Sequence, residues 1–256
     1  MLCNVFKMLS RATWNYIALS KIENFQLKEE SLTDYNMLHL KLYGGSDIDV
    51  ITFNKRQEGK NGADWEWWFN DRKRWLGFRV QAKIININTD EFDHLHYMSP
   101  TKAPQSAILI LQSETATIPV IPLYCLYMAT GSLDPSTLGP IPKELYGCAV
   151  MSAYRVLSLR PTKTVSVRYL QPYMTPWHQL VCNGTSSFDG LVKIAMGFLP
   201  DQNNAEVDMQ SLVQEQPPAY VRFNEQSGVE YQDNEAVIPD LGGVVIVNLP
   251  ETNTET

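Results

Sequence analysis

The chain has 256 residues, 44% of them apolar, and a formal charge of −7, which fits one large domain or a domain with an appendage. No apolar run reaches the roughly 18–20 residues of a membrane span; residues 118–129 are broken by Pro119 and Pro122, and Lys7 and Arg11 interrupt the first apolar stretch, so membrane and secreted classes are not expected and a cytoplasmic home is. Residues 200–256 hold eleven acids against Arg222 alone, a net −10, while residues 55–83 hold eight basic and four acidic side chains; a basic body with an acidic extension suits nucleic-acid binding, and a merely solvated surface equally.

Val5, Phe6, Leu9, Ala12, Tyr16 and Ile17 recur at helical spacing, so a helix is predicted over 2–22. Ser31 with Asp34 signals a second helix, ended by Gly44-Gly45. The period then drops to two. Strands are predicted over 48–53, 64–69 and 75–87, separated by a Gly59–Gly62 turn and a polar 70–73 turn. Three strands joined in this way make an antiparallel meander. A helix over 107–117 and a fully apolar, central strand over 118–128 follow. Farther on, helices over 145–157 and 187–199 and a strand over 164–170 are expected. Residues 200–256 form an acidic extension in which 244–249 is an edge strand docked on the body.

Cys3, Cys125, Cys148 and Cys182 are scattered singly, so no zinc ribbon is present and no disulfide scaffold is expected. His94 and His96 lack a third ligand nearby for zinc. His178, near Cys182, is expected to pack with a hydrogen bond rather than serve a nucleophile. No glycine pair is followed by the lysine of a phosphate loop.

The informative segment runs from Gly62 to Lys83, GADWEWWFNDRKRWLGFRVQAK. At period two, Asp64, Glu66 and Trp68 share one face and Trp65, Trp67 and Phe69 the other. On the next strand Phe78, Val80, Ala82 and Ile84 make an apolar face, and Arg79, Gln81 and Lys83 the opposite one. Antiparallel pairing then gathers a carboxylate, an amide and an ammonium. Mg²⁺ takes oxygen ligands and keeps waters, and a metal-bound water with a lysine beside it suits phosphodiester hydrolysis.

Asp64, followed after sixteen residues by Gln81-Ala82-Lys83, resembles the active-site signature of the PD-(D/E)XK nuclease superfamily, in the QxK form of its Mrr-like branch. The resemblance implies an α/β fold with a restriction-endonuclease-like core (helix, three-strand meander, helix, strand) at about residues 30–130, within a nuclease-like domain over 1–199. It implies a Mg²⁺- or Mn²⁺-dependent DNA endonuclease, in prokaryotic defence. Asp64, Gln81 and the Ala82 carbonyl would hold the metal, and Lys83 would place the water. DNA is the implied partner, with a homodimer or a defence-system protein as further ones. The alternatives are a nuclease fold that binds nucleic acid or protein without cleaving, and an effector active only with a partner. Ala63 stands where the family has proline, and Gln81 where it has an acid. Glu29 to Asp34, Gly62 to Trp68, Arg79 to Lys83 and Pro176-Trp177-His178 also resemble an uncharacterised bacterial and fungal domain family, over most of residues 1–185.

Supporting roles follow from position. Glu58 and Glu66 are candidates for a second metal ligand, and Glu30 for the acid that the family adds from its first core helix. Glu29, beside it, is explained by the helix dipole. Arg72, Lys73, Arg74 and Arg79 are candidates for phosphate contact. Trp65 and Trp67 are expected in the core, whereas Trp68 and Trp75 could face solvent and stack on bases.

Overall fold

A computed structural model of the chain describes residues 1–52, 63–100, 102–182, 187–200, 209–221 and 241–250. In chain order it contains α1 (Leu2–Ile22), α2 (Glu29–Tyr43), β1 (Ile48–Thr52), β2 (Trp65–Asn70), β3 (Trp75–Ile84), α3 (Gln105–Glu114) and β4 (Ile121–Tyr127). Then come α4 (Pro135–Leu138), β5 (Cys148–Ser152), α5 (Ala153–Leu159), α6 (Val167–Leu170), β6 (Thr175–Pro176), α7 (Phe188–Met196), α8 (Met209–Leu212), β7 (Val213–Gln214) and β8 (Gly243–Asn248). The architecture is mixed α/β. One sheet runs β1-β8-β2-β3-β4-β5-β6, with β7 paired to β3. None of the described helices is long and apolar enough to cross a membrane.

β3 and β4 are the middle of this sheet, and their ten and seven residues are almost wholly buried. They pair in parallel, Gln81 beside Tyr124 and Lys83 beside Leu126, with α3 as the crossover. β2 and β3 form the expected antiparallel hairpin, Trp65 opposite Val80. The alternation on β3 carries through. Phe78, Val80 and Ala82 enter a large core with Trp65, Trp67 and Phe69, while Arg79 and Gln81 meet α3 through the Gln112 carbonyl and the Gln105 amide. α1 seals the large core: Phe6 packs on Trp177 with centroids 5.1 Å apart, and Trp177 lies 5.9 Å from Trp67.

The meander is interrupted. β8 lies between β1 and β2, antiparallel to the first and parallel to the second, with Gly243 beside both Thr52 and Trp65. Residues 244–249 are thus no edge strand. Val244, Val245, Ile246 and Val247 are buried, as an unalternating apolar run inside a sheet should be. The twelve residues between β1 and β2, 53–64, exceed the two to five of a usual hairpin loop, so the two strands need not be neighbours. Gly243 is required by the close approach: a Cβ there would stand 2.7 Å from the Ile51 carbonyl oxygen. Residues 243–248 therefore enter the body of the fold.

Other expectations shift as well. Residues 145–157 are not one helix but a 3-10 turn, then β5 paired to β4, then α5; apolar Cys148 to Met151 fit a sheet interior as well as a helix face. Residues 164–170, expected as a strand, contain the short α6. Trp68 and Trp75 do not face solvent but belong to a second, smaller core with Ile51, Val120, Val244 and Ile246. Cys3 and Cys182 form a disulfide across 179 residues, with Cα atoms 5.1 Å apart; no spacing rule could have paired cysteines so far apart. Cys125 and Cys148 are free and buried. His178 is buried, with Nδ1 lacking a partner among the described residues, and burial, then Lys7 and Arg11, pull its pKa down to about 4.

Candidate active site

Asp64 sits just before β2, and its place is fixed by backbone. Its N–H donates to the Val80 carbonyl and its carbonyl accepts from Gly242 N–H, both at 2.8 Å. The side chain is thereby turned onto β3. Asp64 Oδ2 accepts from the Ala82 N–H at 2.6 Å and from Gln81 Nε2 at 2.7 Å. The same Nε2 lies 3.1 Å from the Ala82 carbonyl oxygen. Gln81 Oε1 accepts from Gln105 Nε2, on the first turn of α3, at 2.7 Å. Lys83, only 6% exposed, points its ammonium at Glu29 Oε1 across 3.6 Å.

These groups open on a cleft of about 1310 Å³ whose walls include α2, the start of β2, the end of β3 and the segment from Asn86 to Tyr97. Two of its carboxyl groups resist ionisation. Burial pushes the Glu29 carboxyl up to about 7 against the opposing pull of Lys83, with Asp64 and Glu30 adding repulsion. Burial likewise pushes Asp64 up to about 6, although the Ala82 N–H, Lys83 and Gln81 all favour its charged form. Two acids with raised pKa and a buried lysine in one cleft mark a candidate functional site on physical grounds.

Asp64, Gln81, Ala82 and Lys83 come together as the strand pairing anticipated. Glu30 lines the cleft, but the acid that meets Lys83 is Glu29, one position earlier and about 100° around the helix. The helix dipole accounts for an acid at Glu29, and α2 does begin there; its second role has no sequence signal beyond two adjacent acids. Gln105 was not foreseen, being a lone glutamine on another element. Glu66 does not face the cleft. It is fully buried on the α3 side, bound by Arg79 at 2.7 and 2.9 Å, by Trp68 Nε1 at 2.9 Å and by the Tyr220 hydroxyl. Arg79, 4% exposed and also bonded to the Gln112 carbonyl, is a buried partner of Glu66 and is not presented to phosphate. Glu58 lies outside the described residues.

The basic turn is also displaced. Arg72, Lys73 and Arg74 close the β2–β3 hairpin at the end away from Asp64, roughly 20 Å along a six-residue strand. Arg74 is engaged there by Asp71 and Asp189, 2.7 Å from each, and stacks 4.5 Å over the Phe188 ring. Arg72 borders a second, smaller cleft of about 690 Å³. The turn and the acid–amide–lysine cluster are thus separate surfaces.

The donor set suits a hard divalent cation in one respect and resists it in another. Among the described residues no three His, Cys, Asp or Glu side chains converge as a metal cage. Yet Gln81 Nε2, the positive end of an amide dipole, stands between Asp64 Oδ2 and the Ala82 oxygen. Two oxygens already converge on the positive end of that dipole, and the Gln81 oxygen would join them if its amide turned over. Asp64 Oδ1 accepts no hydrogen bond from the described residues. The residues fit a cation with few protein ligands and several waters, the coordination habit of Mg²⁺.

Fold and site together define a mixed α/β protein with an acid, an amide and a lysine at the end of its central strands. Residues 2–253 match the family model DUF6615, a family of unknown function, and the chain belongs to that family. No curated protein matches it.

Proposed function

We propose that the chain is a metal-dependent endonuclease that hydrolyses DNA phosphodiesters, built on a restriction-endonuclease-like core of α2, β1, β2, β3, α3 and β4 into which β8 is inserted. The observation that carries the reading is the meeting of Asp64, the Gln81 amide, the Ala82 carbonyl and Lys83 in one cleft on adjacent strands. Asp64, Gln81 and Ala82 would hold Mg²⁺ or Mn²⁺. When bound, the metal supplies an acidified water and positive charge beside the phosphate.

The chain's own groups do the rest. Lys83 is held in the site by the burial of its stem in the sheet and by Glu29, 3.6 Å from its ammonium. A fixed ammonium in low dielectric stabilises charge that grows on the phosphate oxygens and orients the water that attacks them. The Ala82 N–H and Gln81 aim the Asp64 carboxylate, so little is lost in ordering it. Asp64 must be ionised to bind the metal, so with its pKa near 6 uptake below neutrality releases a proton.

The test is nicking of supercoiled plasmid by the wild type and by Lys83→Met, with Mg²⁺ and with Mn²⁺. Loss of roughly a hundredfold or more in rate is expected for Lys83→Met. Equal nicking by the two proteins overturns the role of Lys83. Absence of nicking by wild type with either metal, together with retained DNA binding, gives the place to a fold that binds without cleaving. That second reading is favoured by the amide at Gln81, which leaves the metal one negative ligand short.

A further inference from the structure

We infer that Gln105 is a positioning residue that decides which end of the Gln81 amide faces Asp64, and so gates uptake of the divalent cation; the inference rests on the metal-dependent reading above. Gln81 is 3% exposed, so its amide must be satisfied by protein. Its nitrogen donates to Asp64 Oδ2 and to the Ala82 carbonyl oxygen, at 2.7 and 3.1 Å. Its oxygen accepts from Gln105 Nε2 at 2.7 Å. Gln105, by presenting a donor, pins the Gln81 oxygen away from Asp64 and keeps a donor where the cation belongs.

This arrangement leaves a debt. Gln105 Oε1 is buried and has no partner among the described residues, which is costly for an amide oxygen. If both amides turn over about their last torsion, Gln81 Nε2 donates to Gln105 Oε1 and Gln81 Oε1 faces Asp64. The orphaned acceptor is then used, and three oxygens (Asp64, Gln81 and Ala82) point at one place. The rotation concerns a terminal sp³–sp² torsion, which is broad, so no backbone has to move. The pair is therefore a two-position device. With nitrogen inward it caps Asp64 with a hydrogen bond in the absence of metal; with oxygen inward it receives the cation. An acid at position 81 would need no such partner, since its two oxygens are equivalent. Gln105 is what a glutamine in that place requires.

The test is a double-substitution cycle read by calorimetric Mn²⁺ binding to the full chain, with no cleavage measured. Gln105→Leu removes both amide ends and should weaken Mn²⁺ binding roughly tenfold, as loss of an outer partner of a metal ligand does. In a Gln81→Glu background the same change should cost less than about twofold, because a carboxylate needs no orientation. Gln105→Glu, nearly isosteric and able only to accept, should hold the Gln81 nitrogen outward and tighten binding; it serves also if Gln105→Leu does not fold. Equal losses in both backgrounds would show a merely structural role and overturn the inference, as would indifference of the wild type to both Gln105 changes. If Mn²⁺ binding is abolished by Asp64→Asn yet indifferent to Gln105, the metal reading stands and the gate falls. If wild type takes up no Mn²⁺, both fall.

Discussion

Glu29→Gln should stabilise the protein above neutral pH and leave it unchanged in acid. Glu29 is raised from 4.5 to about 7, chiefly by burial, with Lys83 only partly offsetting. An acid harder to ionise in the fold than in the unfolded chain destabilises the fold once it is ionised. The native state then binds more protons than the unfolded state between about pH 4.5 and 7, so stability falls as pH rises through that window. At 1.36 kcal/mol per unit the shift is roughly 3 kcal/mol, which we take as an upper value because the side chain is 22% exposed. Glutamine imitates the neutral form. Urea unfolding followed by tryptophan fluorescence should give matching stabilities for wild type and Glu29→Gln near pH 4, below both values, and an excess of about 2–3 kcal/mol for Glu29→Gln near pH 8. His178, lowered to about 4, acts in the opposite direction, since its contribution grows as pH rises from about 4 to 6.5. It acts equally in both proteins, so the difference between them isolates Glu29. A difference that does not grow from pH 4 to pH 8 refutes the reasoning.

Two predictions concern the scaffold. Trp67→Ala removes a fully buried ring that touches Trp65, Phe69 and Trp177, and should cost about 3–5 kcal/mol in urea unfolding; a cost below about 1 kcal/mol would place the ring elsewhere. A chain ending before Leu241 loses β8, leaving β1 and β2 with open edges inside the sheet, and should lose its cooperative thermal transition by circular dichroism. A truncated chain that still melts cooperatively near the wild-type temperature would restore the view of the C-terminal part as an appendage.

The acid–amide–lysine cluster was legible because local geometry fixes it. A hairpin with a short turn sets its own register, and period two then decides that Asp64 and Gln81 meet and that Trp65 and Trp67 do not. β8 was not legible as an inner strand, because its partners lie 178 or more residues earlier and nothing local marks an insertion between β1 and β2. Its unalternating Val244 to Val247 run was the one available sign of burial on both faces. Glu29 and Glu30 differ by a single helical step, which no estimate of the helix start resolves. Arg79 and Glu66 face each other across the hairpin, and that register was in hand. What hid their fate was α3 covering that face of the sheet, a tertiary event that turns a basic surface into a buried ion pair.

On the proposed function, the charge of the cleft would set the order in which its ligands arrive. Its described walls carry five acids (Glu29, Glu30, Asp34, Asp64 and Asp93) against Lys28, Lys41 and Lys83, a net −2 when all are ionised. Burial is the chief cause of the raised pKa values of Glu29 and Asp64, and repulsion from neighbouring acids adds to it. A DNA phosphate approaching the metal-free cleft meets carboxylates within a Debye length of about 8 Å, so repulsion persists at physiological salt. A divalent cation cancels −2 and lets Lys83 act on the phosphate. DNA affinity should therefore rise roughly tenfold or more when Ca²⁺, a hard cation with oxygen ligands, replaces EDTA in a fluorescence-anisotropy titration at fixed ionic strength. The doubly substituted Asp64→Asn, Glu29→Gln chain carries no such excess, and should bind DNA in EDTA more tightly than the wild type while gaining little from Ca²⁺. Wild-type affinity that is the same in EDTA and in Ca²⁺ would mean that DNA meets the basic hairpin turn, roughly 20 Å away along β2, and does not enter the cleft.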